Sequence, residues 1–229
     1  MTNSTDGPAG STPPHPPLLA GQAPLDEVMA RLARDRPVFH SEADLQHSFA
    51  LALRELAPEL RCRLEVPQQT GGKRPAYLDL LCTGPSARTV VEFKYVTRRW
   101  TGTCGPDGET YALRNHAATD LARLGFVTDL TRTERFGEAS GTTGLALMVT
   151  NEPRLWTPPA PGGAPRRDQE FRLHQGRTLA GTLRWAGGSY LPNTRVLRGR
   201  YPLDWRPYSR QPGAGGEFRY LAVATGGAA

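Results

Sequence analysis

Hydrophobic positions recur along the chain with two periods, one typical of helices and one typical of strands. The clearest helical pattern lies in residues 41–57, SEADLQHSFALALRELA, which begin at Ser41, a residue preferred at helix N-termini. Its apolar stripe consists of Leu45, Phe49, Leu53 and Leu56. At about 100° per residue, all four lie within about 60° of Glu42. Glu42 is therefore predicted to lie at the N-terminal end of the apolar face of the helix and not on its solvent-exposed face.

Three runs of β-branched and aromatic residues follow this helix, at 61–68, 76–82 and 89–96. The segments TGGKRP and TGPSAR between them have turn composition, so the pattern predicts an antiparallel meander. Further elements are predicted as a short helix over 25–34, a helix at about 110–125 that resumes or continues through DLTRTER, a strand at 143–150, a hairpin over 170–185 and a closing strand at 217–225.

The order of these elements predicts an α/β (α+β) fold, in which helices flank a mixed β-sheet. Residues 1–24 are rich in Pro, Gly, Ser and Thr and are expected to be a disordered tail. Residues 25–156 are expected to form the core. Residues 157–229, which follow a Pro/Gly-rich loop, are expected to be a β-rich C-terminal extension packed on it.

Composition limits the classes of protein to which the chain can belong. No apolar run reaches the roughly 18 to 20 residues that span a bilayer, and the N-terminus lacks the pattern of a signal peptide, so we expect a soluble, cytoplasmic protein without a membrane partner. Three cysteines without CxxC spacing indicate neither a disulfide framework nor a cysteine zinc site. The formal net charge of +6 favours a polyanionic partner.

Lysine is rare in this chain, because all but two of the 28 basic residues are arginine. The two lysines are Lys73 and Lys94, and Lys94 lies inside a strand of buried type, TVVEFKYV. A compact ammonium whose pKa shifts readily does what a guanidinium cannot, so Lys94 is a candidate for a chemical role.

Three charged residues of the meander are predicted to meet on one patch of the sheet. Alternate side chains of a strand share a face, so Glu92 and Lys94 point together. A register that aligns the last two strands brings Asp79 beside Glu92. Two buried carboxylates repel each other unless a cation satisfies both, and oxygen ligands suit Mg²⁺ or Mn²⁺. The alternative is an ordinary cross-strand ion pair on a half-exposed sheet.

The arrangement of Asp79, then Glu92-Phe93-Lys94 after a turn, behind a helix that carries Glu42, resembles the PD-(D/E)XK nuclease superfamily. The resemblance covers residues 40–150 and follows the family's order of helix, three strands, helix and strand. Leu78 stands where the family's name has proline, which supplies no ligand. The C-terminal third has no counterpart that aligns.

This resemblance implies a restriction-endonuclease-like fold and a divalent-metal-dependent nuclease that hydrolyses phosphodiester bonds of DNA, with RNA as the less favoured substrate. It implies that Asp79 and Glu92 bind Mg²⁺ or Mn²⁺, that Glu42 supports the metal, and that Lys94 orients the attacking water and stabilises charge at phosphorus. For Glu42 the alternative is a carboxylate favoured only by the helix macrodipole. A homodimer is left open.

A basic rim is predicted beside this site. Arg98 and Arg99 follow the motif strand directly, Lys73 lies in the turn before the Asp79 strand, and the indole of Trp100 could stack on a base. The alternative for Trp100 is a side chain folded onto the core.

Two other functions are compatible with the same residues. One is a catalytically inactive module of the same fold that binds nucleic acid. The other is a protein-interaction domain in which the charges only pair with one another.

Overall fold

The computed structural model describes residues 17–68 and 76–226. Its strands are β1 (Leu18–Leu19), β2 (Ala23–Pro24), β3 (Arg61–Gln68), β4 (Ala76–Thr83), β5 (Arg88–Val96), β6 (Trp100–Cys104), β7 (Glu109–Leu113), β8 (Thr142–Thr150), β9 (Thr178–Leu183), β10 (Arg195–Pro202), β11 (Trp205–Arg210) and β12 (Glu217–Thr225). Its helices are α1 (Leu25–Asp35), α2 (Glu42–Leu56), α3 (Thr119–Phe136) and the single turn α4 (Pro153–Trp156).

A six-stranded mixed sheet forms the centre of the molecule, in the order β11-β12-β8-β5-β4-β3. Neighbouring strands are antiparallel except for β5 and β8, which run parallel. A parallel pair requires the chain to cross back over the sheet. Here the crossover contains the β6–β7 hairpin and then α3. The predicted meander and the predicted strands at 143–150 and 217–225 are confirmed.

The two faces of the sheet bury separate apolar cores because alternate side chains of each strand point to opposite sides. On one face, Val91 and Phe93 of β5 pack in the cluster that also contains the apolar side chains of α1 and α2. On the other face, Val96 of β5 packs in the cluster that contains α3 and the β9–β10 pair. Glu92 and Lys94, which alternate with Val91 and Phe93, therefore project toward α3.

Helix α2 begins as its sequence predicts. Ser41 is the N-cap, and its hydroxyl oxygen accepts a hydrogen bond from the Asp44 backbone N–H at 3.2 Å. Leu45, Phe49 and Leu53 are fully buried against the sheet. The predicted stripe ends before Leu56, which is 40% exposed in the last turn.

Two predicted elements are wrong. The segment 110–125 is not one helix, because residues 109–113 form β7 and the helix starts at Thr119. Aromatic contacts between Trp100 and Tyr111 hold these residues in a hairpin, while the helix does continue through DLTRTER as predicted. Residues 170–185 do not pair with themselves, because β9 pairs with β10, whose residues follow after an intervening segment.

The domain boundaries predicted from composition divide the chain differently from its tertiary structure. Residues 1–16 lie outside the described part, and residues 18–24 contribute the small β1–β2 pair. Within 157–229, the strands β11 and β12 belong to the central sheet, and only β9 and β10 form a separate pair. Part of the predicted C-terminal extension is therefore part of the core. None of the helices in the described residues has the length and hydrophobicity to cross a membrane.

Candidate active site

The site lies where β4 separates from β5. The last registered pair is Leu80 with Val91, and the next residues along, Asp79 and Glu92, would face each other if the pairing continued. Instead, the Asp79 Oδ2 atom accepts a hydrogen bond from the Phe93 backbone N–H at 2.7 Å. A backbone donor of this kind must be satisfied when it is removed from water. The side chain of Asp79 thus replaces the missing strand and lies directly beside the motif on β5.

Glu42 performs the same structural task two residues further along β5. Its Oε2 atom accepts a hydrogen bond from the Tyr95 backbone N–H at 2.8 Å. The first residue of α2 therefore reaches across the open edge of β5 toward Lys94. Burial raises the pKa of Glu42, although the Lys94 ammonium and the Tyr95 N–H act to lower it. The macrodipole alone does not account for a carboxylate placed in this way.

Lys94 lies near one carboxylate of α2 and one of α3. Its Nζ atom lies 2.8 Å from Asp129 Oδ2 and 3.9 Å from Glu42 Oε1, and it donates a hydrogen bond to the Phe93 carbonyl at 3.0 Å. Burial acts to lower the pKa of Lys94, but the nearby carboxylates, led by Asp129 and Glu42, raise it above its ordinary value. Lys94 is therefore an ammonium throughout the physiological pH range.

The side chain of Lys94 packs against Gly125 of α3. A Cβ atom at Gly125 of α3 would lie 3.4 Å from the Lys94 Cε atom, which is as close as ordinary van der Waals contact permits. The lysine stem can therefore run along the surface of α3 and bring its ammonium to Asp129, one turn further along the helix.

Glu92 is the most deeply buried member of the site, with 1% of its surface exposed. Its Oε2 atom lies 3.0 Å from Arg132 NH1, whereas its Oε1 atom is buried and has no hydrogen-bond partner among the described residues. Burial, followed by the Asp79 carboxylate, raises the pKa of Glu92 to about 8. At neutral pH this carboxyl group is therefore mainly protonated in the metal-free protein.

Asp129 and Arg132 are the site residues that the sequence did not single out. They lie one turn apart on α3, where Arg132 NH1 is 3.8 Å from Asp129 Oδ1. Asp129 is 6% exposed, and burial raises its pKa to about 6 against the effect of Lys94. Helical spacing could have revealed Asp129. It follows Gly125 by four residues and Phe126 by three, which places it on the buried side of α3.

The assembled site carries an excess of negative charge. Four carboxylates surround two cations, which leaves two negative charges uncompensated when all groups are ionised. The carboxylates are Glu42, Asp79, Glu92 and Asp129, and the cations are Lys94 and Arg132. Within the residues described, however, no three acidic, histidine or cysteine side chains already converge as a metal-binding group.

A cavity of about 390 Å³ opens beside Glu42. Its wall includes Tyr95, Thr97 and His116. The His116 Nδ1 atom accepts a hydrogen bond from the Thr97 backbone N–H at 3.0 Å, so a proton on the neutral ring resides on Nε2. The cavity gives solvent or a ligand access to the edge of the carboxylate cluster.

The predicted basic rim is only partly available. Arg99 is exposed, and Arg98 is half-buried, with its backbone N–H bonded to Asn151 Oδ1 at 2.8 Å. Trp100 is 3% exposed, and its indole N–H donates to the Pro212 carbonyl at 3.0 Å. Its ring packs edge-on against Phe218, so the indole is not free to stack on a base, and the core alternative describes it correctly. Lys73 lies outside the described residues.

Comparison of the chain with protein-family models, with curated proteins and with solved structures gave no match.

Proposed function

We propose that this protein is a divalent-metal-dependent nuclease of the restriction-endonuclease-like fold, which hydrolyses phosphodiester bonds of DNA. The observation that carries the proposal is the meeting of Asp79, Glu92, Lys94 and Glu42 at one place on the sheet. Residues from two strands and one helix converge there although 50 positions separate Glu42 from Glu92 in the chain. The sequence resemblance to the PD-(D/E)XK superfamily requires this convergence.

The residues fit a hard divalent cation. All four acidic side chains offer oxygen, which Mg²⁺ and Mn²⁺ prefer. One divalent ion would balance the two surplus negative charges of the fully ionised site, and it would give a partner to the buried Oε1 atom of Glu92, which has none among the described residues. Asp79 and Glu92 would hold the ion with support from Glu42. When bound, the ion would acidify a water molecule and neutralise charge at the phosphate.

Lys94 is placed to act on the reacting groups as a permanent cation. Its ammonium lies 2.8 Å from Asp129 and 3.9 Å from Glu42, so these carboxylates orient it before substrate binds. A preorganised donor of this kind stabilises negative charge that develops on a phosphate oxygen, and loss of one such donor typically lowers kcat about 10²–10³-fold. Lys94 also has N–H groups with which to orient the attacking water.

The test is cleavage of supercoiled and linear DNA in the presence of Mg²⁺ or Mn²⁺. Asp79→Asn keeps an acceptor for the Phe93 N–H while it removes the charge, and Lys94→Met keeps most of the side-chain length. Both are expected to lose cleavage about 10²-fold or more while remaining folded. Asp107→Asn, an exposed residue of the β6–β7 turn, is the matched control and is expected to cleave normally. Unchanged cleavage in both site variants would rule out this active site.

One observation favours a second candidate, a nucleic-acid-binding module without catalysis. Lys94 lies 2.8 Å from Asp129 and Glu92 lies 3.0 Å from Arg132, so both ionisable residues of Glu92-Phe93-Lys94 already have a partner on α3. This candidate predicts salt-sensitive DNA binding without cleavage in any divalent cation. The same cleavage assay, run beside a binding assay, separates the two.

A further inference from the structure

A large cavity lined by described residues lies away from the carboxylate cluster, at the N-terminal end of α3. It measures about 1070 Å³ and is enclosed by the start of α3, Arg154 of α4 and the segment 159–177. Its charged wall contains six arginines and two acids. The arginines are Arg123, Arg154, Arg166, Arg167, Arg172 and Arg177, and the acids are Asp120 and Asp168. We call this the arginine cavity.

Part of this arginine set builds the wall. Arg123 is 3% exposed, pairs with the buried Asp168 and donates to the Arg154 carbonyl at 2.6 Å. Arg177 donates to the carbonyls of Gln169 and Glu170 and thereby fixes the segment that forms the floor. These two guanidinium groups therefore connect the elements that line the cavity.

Of the other four arginines, Arg154 and Arg167 have acidic partners, whereas the charges of Arg166 and Arg172 are not fully compensated. Arg166 is exposed and makes no salt bridge among the described residues. Arg172 is half-buried, and its nearest acid, Asp168, lies 3.8 Å away and is already engaged by Arg123. Arg154 does pair with Glu152, at 2.9 Å, but its side chain is 58% exposed. The cavity therefore keeps a net positive charge.

The same arginines act on His174, which lies between Arg172 and Arg177 in the chain. The pKa of His174 is lowered by burial and then by Arg177, Arg172 and Arg123. The start of α3 adds to the positive field of the arginines, because its N-cap residue Ala118 offers no side-chain acceptor to the first backbone N–H groups.

We propose that the arginine cavity binds the phosphodiester backbone of a nucleic-acid chain. Guanidinium groups match phosphate oxygens bidentately, and six arginines line this one cavity. The exposed arginines along its rim could contact a ligand that extends beyond the cavity. A nucleic-acid chain extends in this way, whereas a free phosphate does not.

This inference deepens the proposed function, on which it rests for the identity of the ligand. Arg123 and Asp129 are six residues apart on α3, about 9 Å along the helix axis. A DNA strand advances about 3.4 Å per nucleotide along its axis. The cavity would therefore hold phosphates a few nucleotides from a bond at the carboxylate cluster and set where the substrate lies.

The test is binding of a labelled DNA duplex of about 20 base pairs, measured by fluorescence anisotropy in EDTA between about 50 and 200 mM salt. The first variant is Arg166→Ala combined with Arg172→Ala. The second is Ala160→Glu, which adds a carboxylate to the exposed loop of the cavity wall. The matched control is Arg61→Ala combined with Arg63→Ala, which removes the same charge from exposed positions on β3.

The slope of log Kobs against log salt is negative, and each lost phosphate contact reduces its magnitude by about 0.9. We expect the cavity double variant to reduce the magnitude of this slope by about 1 to 2 and to weaken binding about tenfold or more at low salt. We expect Ala160→Glu to weaken binding similarly. The β3 control should keep the wild-type slope. An equal change in the control, wild-type binding by Ala160→Glu, or binding of inorganic pyrophosphate without binding of DNA would overturn the inference.

Because EDTA prevents metal-dependent cleavage, the outcome is independent of catalysis. A protein that binds DNA through the cavity but never cuts it would retain this inference and lose the proposed nuclease activity. If the protein cuts DNA and the cavity variants bind and cut normally, the nuclease proposal stands and the inference about the cavity is wrong.

Discussion

The buried carboxyl group of Glu92 is expected to dominate the pH dependence of stability in the metal-free protein. Its pKa rises from an ordinary value of 4.5 to about 8 in the folded state, through burial and then the Asp79 carboxylate. Below pH 4.5 the group is protonated in both folded and unfolded chains. Between pH 4.5 and 8 the unfolded chain releases the proton and the folded chain keeps it, so the free energy of unfolding falls as pH rises.

The size of this effect follows from the two pKa values. The difference between 4.5 and about 8 corresponds to a loss of roughly 5 kcal/mol in the free energy of unfolding across that interval. Because Glu92 is only 1% exposed, solvent screens little of this effect. Glu92→Gln removes the titrating group and keeps the shape of the side chain.

Urea denaturation at pH 5, 6.5 and 8 in EDTA measures the effect. We expect the free energy of unfolding of the wild-type protein to fall with rising pH, and that of Glu92→Gln to fall much less. The difference in favour of the variant should therefore be largest at pH 8. Glu59→Gln, at an exposed position after α2, is the control and should follow the wild type. If wild type and Glu92→Gln show the same pH dependence, Glu92 is ionised in the folded protein and the reasoning about the site fails.

Three further predictions concern the cation, the aromatic core and the arginine cavity. Saturating Mn²⁺ at about 100 times its Kd should raise the free energy of unfolding by about 2.7 kcal/mol near pH 7.5, as measured by urea denaturation, and Asp79→Asn should abolish the gain. Trp100→Ala should lower the free energy of unfolding by about 3–5 kcal/mol, because its indole is buried, whereas Arg99→Ala should leave it nearly unchanged; thermal denaturation compares the two. Asp168→Ala should cost about 3–5 kcal/mol because it leaves the buried Arg123 guanidinium without its acid; restoration of stability by the added change Arg123→Met would identify the unpaired charge as the cause.

Local sequence patterns predicted the elements whose residues interact with near neighbours. Ser41 and the stripe of Leu45, Phe49 and Leu53 specify α2 because capping and helical spacing act within a few residues. The alternation around Glu92 and Lys94 correctly placed both on one face of β5, because side-chain direction in a strand follows position alone.

The elements that the sequence missed depend on distant partners. The helical pattern begins at about residue 110, yet Tyr111 is buried beside Trp100, and residues 109–113 form a strand. The strand β9 was read as part of a local hairpin, but it pairs with β10. Strand pairing is decided by which surfaces can be buried together, and a propensity pattern does not contain that information.

The sequence by itself determined which residue types make up the motif of the candidate site. The acidic motif, the rare lysine and the inward position of Glu42 all follow from the order of residues along the chain. The tertiary structure decided how these groups meet. It separates β4 from β5 beyond Leu80 and Val91, so that Asp79 and Glu42 occupy the freed N–H groups of Phe93 and Tyr95. It also brings Asp129 and Arg132 of α3 to the motif. Electrostatic interaction depends on distance in space and on burial, and both are fixed only when the helices pack on the sheet.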